Sequence, residues 1–408
     1  MSADTRPLWA LASLNDESLP ATTPASFSFD YVDISNVTEG CISDNLESYA
    51  FRDAPSRARR IARAGDVIIS TVRTYLKAIA QVGQRDVATI YSTGFAVLRP
   101  DKGLVDPRYL SYVLSSNQVM DEVVATSVGV SYPAIQATAL HRIRVPYTSR
   151  NVQEAIVSYL DRETADIGAV LTRMDRLSRV LRERLLSLQT RAVFGLASGQ
   201  RSSAADAHSP LSGVPEHWGR TKFGYDFTES TERNGENPPG PLLSISEYRG
   251  VELNTRTEGQ QASLDVSKYR VVRPGQLAAN MMWLNHGGLG VSSLTGYISP
   301  DYKAFWISDR FEPRYVHHLF RSSRYIDYFA AIATGVRPNA QRVTKTVLDA
   351  TPVPLPPFDE QIKIADQLDE ATARVDAMLA KVTDLKALLL ERRAALITDV
   401  VTGRKEVA

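Results

Sequence analysis

The sequence predicts an α+β protein made by internal duplication: two β-rich globular units joined by two long antiparallel coiled-coil helices, related by a pseudo-twofold. Three observations carry this expectation. Residues 151 to 195 align without a gap on residues 359 to 403, placing Leu160 on Leu368 and Gly195 on Gly403. Each aligned segment repeats apolar residues every seven positions. Each is preceded by some 150 residues of short β-rich stretches and turns. A repeat of half the chain length is too long for a solenoid and reads as a domain duplication.

The first β-rich unit is assigned to residues 1–150, where DVIISTV and STGFAVLRP alternate or run apolar between turn residues. Within it RYLSYVLSSNQVMDEV has helical spacing. The first long helix covers 151–197, with Leu160, Ile167, Met174, Leu181 and Leu188 seven apart and Val170 and Leu177 between them. Its start is marked by Pro146 with Ser149 or Asn151 as cap, and its end by Gly195. A polar linker follows at 198–212. The second unit spans 213–357 and holds YRVVRPGQLAANMMW, KAFWIS and the helical RYVHHLFRSSRYIDYFAAI. The second long helix covers 358–405, with Leu368, Val375, Val382, Leu389 and Leu396 seven apart, Met378 and Leu385 between them, Asp359 as cap and Gly403 as stop. Helices of about 40 residues extend about 60 Å, so one carries the chain from unit to unit and the other returns it. Arg184 and Arg392 interrupt the seam at matching places, marking its edge or a partner contact.

Composition excludes several classes. Forty-seven basic against forty-six acidic residues leave a net charge of +1, so any nucleic-acid footprint must be local. The single cysteine, Cys41, forms no intramolecular disulfide and supplies no zinc cluster, which suits a reducing cytoplasm. No charged and apolar leader opens the chain, and no run is long and apolar enough for a membrane span. None of the six histidines stands in a metal-binding spacing, and the phosphate-loop, serine-hydrolase and kinase motifs are absent. Metal and catalytic residues are therefore expected to be none. Asn237-Pro238-Pro239 resembles the start of an adenine-methylating motif but continues with Gly240 where an aromatic is required, so it is read as a surface loop. His286-Gly287-Gly288-Leu289-Gly290 lacks the lysine of a phosphate loop and is read as a tight turn.

The residue types suit DNA instead. Arg52, Arg57, Arg59, Arg60 and Arg63 crowd one short segment and match phosphates. Arg73, Tyr75 and Lys77 alternate, so an extended segment projects them to one side. The segments 127–135, with Ser131 and Tyr132, and 334–342, with Arg337, Asn339 and Arg342, occupy equivalent places in the duplication yet differ in content, as two readers of different sequences would. Asn280, Trp283, Asn285 and His286 add amides suited to adenine and an aromatic surface.

With GDVIISTVRTYLKAIA, STGFAVLRP, PGQLAANMMWLNHGGLGVSSLTGYISPDYKAFWI and LPPFDEQ at 355 to 361, the chain resembles over its whole length the specificity subunits of type I restriction-modification systems. VPYTSRNVQEAI before the first helix departs from that pattern. The resemblance implies a noncatalytic subunit whose two target recognition domains each read half of a bipartite, asymmetric DNA target. The helix pair would set the spacing and dock two modification subunits for adenine-N6 methylation; motor-nuclease subunits would add restriction. No cofactor is expected on this chain, with S-adenosylmethionine, ATP and Mg2+ on the partners. Three other readings compete: an autonomous adenine-N6 methyltransferase, a coiled-coil scaffold without a DNA role, and a specificity-like orphan whose modification partner is missing.

Overall fold

The computed structural model describes residues 4–38, 40–129, 133–196, 209–247, 249–255, 265–335 and 342–407. Contacts divide the chain into two units, 1–174 with 383–408 and 175–382. Each unit thus holds a β-rich domain together with the start of one long helix and the end of the other. The mixed fold predicted by the sequence is the one observed.

In the first unit, Ala12–Leu14, Phe95–Pro100, Val67–Ser70 and Ile79–Gln81 lie in that order in an antiparallel sheet. Val67, Ile68 and Ile69 are all buried, so this strand is covered on both faces, as its unbroken apolar run requires. A second sheet orders Glu47–Ala50, Ser28–Val32, Thr89–Ser92 and Ala58–Ile61. The strand Asp4–Pro7 pairs with Arg144–Tyr147 just before the long helix.

The second unit repeats the first sheet with Phe227–Ser230, Lys303–Ile307, Leu277–Ala279 and Leu289–Val291, and the closing pair with Gly219–Lys222 and Pro352–Leu355. It departs at the second sheet, which is replaced by the pairs Leu243–Ser246 with Gly250–Leu253 and Arg270–Val272 with Gly296–Ile298.

The helices are α1 (Pro107–Ser115), α2 (Asn117–Thr126), α3 (Ala137–Leu140), α4 (Arg150–Val193), α5 (Phe223–Asp226), α6 (Pro313–Phe320), α7 (Ser323–Ile332), α8 (Lys345–Asp349) and α9 (Phe358–Val401). The two stretches read from sequence as single short helices are each broken in two, at Ser116 and at Arg321-Ser322. Ser116 Oγ donates to the Val113 carbonyl and Ser322 Oγ to that of Leu319, both at 2.6 Å, and each serine backbone turns extended. A serine that bonds the preceding turn competes with the helix ladder.

Both long helices stop as expected. Gly195 (φ +60°) and Gly403 (φ +72°) take the left-handed conformation, and the N–H groups of Gly195 and Leu196 close back on Ala192 and Arg191. The first starts at Arg150, directly after Ser149, one of the two expected caps, whose carbonyl accepts from Gln153 N–H at 2.9 Å. The second starts at Phe358, so Asp359, expected as its cap, lies inside its first turn, where it still suits the positive helix end. The heptad positions are not evenly buried. Leu160 and Leu368 are buried in the domain cores and Ile167 is buried outside them, Met174, Leu181, Val375, Val382, Leu389 and Leu396 are half-buried, and Leu188, Leu177, Met378 and Leu385 are exposed. The seam is closed where a globular domain covers the helix and loosens elsewhere. Arg184 and Arg392 are exposed.

In each unit the start of one helix and the end of the other share the core. Ile156, Leu160, Ile397, Val400 and Val401 pack with Tyr109, Leu110 and Val145. Val193, Phe194, Ala365 and Leu368 pack with Tyr315, Leu319 and Val353.

Candidate nucleic-acid interface

The two units present the same pair of loops. In the first, Ile69 and Ile79 on neighbouring strands are registered on each other, so the chain reverses in nine residues. It does so through a 3-10 turn at Thr74–Leu76, with Arg73 (φ 50°) and Lys77 (φ 48°) both left-handed. The expectation of an extended segment with Arg73, Tyr75 and Lys77 on one side is thereby corrected: the reversal curls them around a tip that exposes Tyr75 and Leu76. In the second unit Ala279 and Leu289 hold the same register. There the turn is Leu284–His286, closed by Gly287 at φ +72°. Met282 and Trp283 are exposed, and the Trp283 and His286 rings lie 4.9 Å apart.

A second loop lies alongside each turn. Ile135 N–H donates to the Thr71 carbonyl at 2.8 Å, and its counterpart Val343 N–H donates to the Met281 carbonyl at 3.1 Å; Arg73 N–H also donates to Pro133 at 2.8 Å. Thr334 and Arg342 bridge the base of the second loop. Ser131, Tyr132, Arg337 and Asn339 fall outside the described residues. The fold therefore brings the turn with Arg73, Tyr75 and Lys77 to the described base of the 127–135 segment, and the turn with Asn280, Trp283, Asn285 and His286 to that of the 334–342 segment, which carries Arg342.

Not all of these side chains face outward. Asn280 is buried; its Oδ1 accepts from Met282 N–H at 3.1 Å and its own N–H donates to Gly288, so it builds the turn and is not presented to an adenine. The Lys77 ammonium donates to Asn117 Oδ1 at 3.0 Å. Arg342 and His286 are exposed, and Asn285 is half-buried.

The arginine-rich segment lies elsewhere, around the sheet-edge strand Ala58–Ile61, and does not form one patch. Arg57 is exposed, but Arg59 lies 4.6 Å over the Phe51 ring and Arg60 Nε is buried without a hydrogen-bond partner. Arg52 pairs with Asp53 at 3.2 Å and Arg63 with Glu17 at 2.8 Å. Hydrogen bonds from Arg63 and Arg99 hold the Glu17 carboxyl below its usual range, so part of the positive charge is already answered.

Three devices that sequence reasoning missed tie the β-rich domains together and to the long helices. Gln153 and Gln361 are fully buried equivalents that bond backbone only. Gln153 accepts from Asp106 N–H at 2.8 Å and donates to Leu104 and Thr148; Gln361 accepts from Glu312 N–H at 2.9 Å and donates to Arg310 and Pro356. Thr398 Oγ1 accepts from Asn117 N–H at 2.9 Å, and Thr190 Oγ1 accepts from Ser323 N–H at 3.2 Å. Both pairs are identities in the helix alignment. Arg321 is the third. Its guanidinium donates to the carbonyls of Ser246, Glu247, Gly287 and Leu289 at 2.7 to 3.3 Å, and burial pushes its pKa down to about 10. It gave no signal, because Ser115 stands at its place in the first unit.

His317 supports the strand leaving the second turn. Its Nδ1 accepts from Val291 N–H at 3.2 Å, and burial beside the Arg321 charge pushes its pKa down to about 3. The unfolded chain takes up this proton near the ordinary histidine value, about 6.5. Its contribution is therefore constant above that pH and is lost progressively between about 6.5 and 3. The His317 ring resonances are expected not to titrate between about pH 8 and 5; a midpoint near the ordinary value would contradict this environment.

The decoy motifs have structural explanations. A Cβ at Gly240 would lie 2.4 Å from the Thr295 carbonyl, so no aromatic fits there, and one at Gly288 would lie 2.7 Å from the Trp283 carbonyl. Among the described residues no group of three His, Cys, Asp or Glu side chains is placed to hold a metal, and no helix is long and apolar enough to cross a membrane.

No family model matches the chain. It is 20% identical over 327 residues to a putative type I restriction enzyme MjaX specificity subunit of Methanocaldococcus jannaschii, covering 74% of this chain and 71% of that one. It is 29% identical over 91 residues to the StySPI specificity subunit of Salmonella potsdam and 30% identical over 96 residues to the EcoBI specificity subunit of Escherichia coli. Those two matches cover 22% and 24% of this chain and span only 19% of each relative. Among solved structures, a chain described in connection with complex assembly and conformational transition of the type I R-M system superimposes with a TM-score of 0.63 at 23% identity, covering 99% of this chain and 98% of the other.

Proposed function

We propose that this chain, which is similar in sequence to type I specificity subunits and alike over its full length in fold to a chain of a type I R-M system, selects the DNA sequence on which a restriction-modification complex acts. The observation that carries the reading is the duplicated turn, with the base of a second loop bonded to it: the same strand register and the same loop-base hydrogen bond appear in both units, with different side chains at the turn. Such a frame offers two readers of unlike half-sites. Arg73 and Tyr75 furnish one tip, and Trp283, His286 and Arg342 the other. Exposed arginines suit phosphates or guanine edges, and aromatic faces suit bases or thymine methyls. The role is noncatalytic.

On this reading two modification subunits dock on the helices and carry S-adenosylmethionine for adenine-N6 methylation. Motor-nuclease subunits supply ATP- and Mg2+-dependent restriction. The autonomous-methyltransferase alternative loses its one motif, since Gly240 is fixed by close packing. The scaffold alternative leaves the two exposed tips without a purpose.

A genome-wide map of N6-methyladenine, taken with and without the gene, tests the proposal. Deletion should erase one bipartite motif; an unchanged map in a host whose partner genes are expressed would refute it. Within the assembled complex, Arg57→Glu is expected to weaken binding to all duplexes alike and to reduce the salt dependence by about one counterion. Filter binding across a salt series measures it, and a change confined to particular sequences would make Arg57 a base reader instead.

A further inference from the structure

In both units one short junction touches both the recognition turn and a long helix. In the first unit it is the break between α1 and α2. Lys77, the residue that closes the turn, donates to the Asn117 side chain at 3.0 Å, and the Asn117 N–H donates to Thr398 on the last turns of α9 at 2.9 Å. In the second unit it is the break between α6 and α7. Arg321 takes the carbonyls of Gly287, which closes the turn there, and of Leu289. Ser323, two residues on, donates to Thr190 near the end of α4 at 3.2 Å, and Gln189 donates to the His318 carbonyl at 2.7 Å.

The helix side of this arrangement uses the same residue type in both units, whereas the turn side uses unrelated residues. Lys77 corresponds to Gly287, and Ser115 to Arg321. A glycine has no side chain to reach the junction, so in the second unit the junction reaches the turn. Two solutions to one mechanical requirement argue that the requirement is functional.

We infer that each junction latches its recognition turn to the end of a long helix, making Asn117 and Lys77 in one unit and Arg321 in the other positioning residues for base reading. The inference rests on the function proposed above. A turn held against a helix end presents its tip at a fixed height and angle, which a base contact needs, because an ångström of slack forfeits a directional hydrogen bond. The latch also assigns Lys77 a role that is separate from touching DNA.

Asn117→Leu separates those roles, since it removes the acceptor and leaves the lysine charge free. Hydrogen exchange on the full-length chain should show faster exchange over residues 74–81 and none of that change over 284–291. Arg321→Met should do the reverse, and Arg321→Lys, which keeps a charged donor, should restore part of the protection. In the assembled complex, Asn117→Leu should lower discrimination about tenfold at one half-site only, and Arg321→Met at the other. Unchanged exchange in both turns would overturn the latch. Faster exchange with undiminished discrimination would overturn its role in reading, as would equal loss at both half-sites. If the wild-type complex shows no bipartite motif, the functional reading fails, while the exchange experiment still decides whether the latch exists.

Discussion

Gln361→Leu is expected to remove about 3 kcal/mol or more from the second unit, since it strips a buried site of three bonds at once. The Glu312 N–H loses its acceptor, and the carbonyls of Arg310 and Pro356 lose their donor. Leucine nearly conserves the volume, so packing alone would be tolerated. The cost lies in desolvated backbone groups left unpaired, each worth about 1 to 3 kcal/mol. Set against a typical domain stability of about 5 to 15 kcal/mol, that is a large fraction. Urea denaturation of the full chain measures it, with Gln367→Leu, on the exposed side of the same helix, as the control. Equal stability of the two variants would remove the clamp from the account. Gln153→Leu is the matching test in the first unit and should shift the other transition.

The periodic parts of this chain were legible because their causes are local. Apolar residues seven apart and a left-handed glycine just past the C-terminus of each define the long helices from their own sequence. The duplication made the fold class and the family resemblance readable in the same way. The candidate interface was less legible because its causes are not local. TVRTYLK has the composition of a strand, and only the pairing of Ile69 with Ile79 forces it into a turn. The arginine cluster looked like a single patch because Glu17, which answers Arg63, lies far away in the sequence. Asn280 has the right chemistry for adenine, but its amide oxygen is committed to Met282 N–H. Burial along the heptads depends on which globular domain covers each turn, so Leu368 and Met378, equally apolar in sequence, differ in exposure.

Exchanging residues 213–357 for the same stretch of another protein of this fold is expected to replace one half of the recognised sequence and leave the other unchanged. The contacts that tie the second β-rich domain to α9 explain why such a graft can work. Gln361 recognises only main-chain groups, so it accepts any domain that keeps the backbone path around 310, 312 and 356. Gly219–Lys222 and Pro352–Leu355 pair through backbone and travel together inside the graft. Other contacts do depend on side chains: Arg314 pairs with Asp366 and Asp369 at 2.7 and 3.0 Å, His318 bonds Asp369 at 2.8 Å, and the His217 ring and the Trp218 N–H both bond the Glu360 carboxylate at 2.9 Å. The first unit keeps the Arg108–Asp161 pair but replaces the histidine with Tyr112, which bonds Asp161 at 2.6 Å. The equivalent aspartates Asp161 and Asp369 thus serve different partners in the two units. A donor domain that supplies the arginine and either hydroxyl or imidazole should therefore dock, and one lacking the arginine should express poorly. Methylome sequencing of a host carrying the chimera reads the outcome directly. A change in both halves of the motif would mean that the two domains do not read independently.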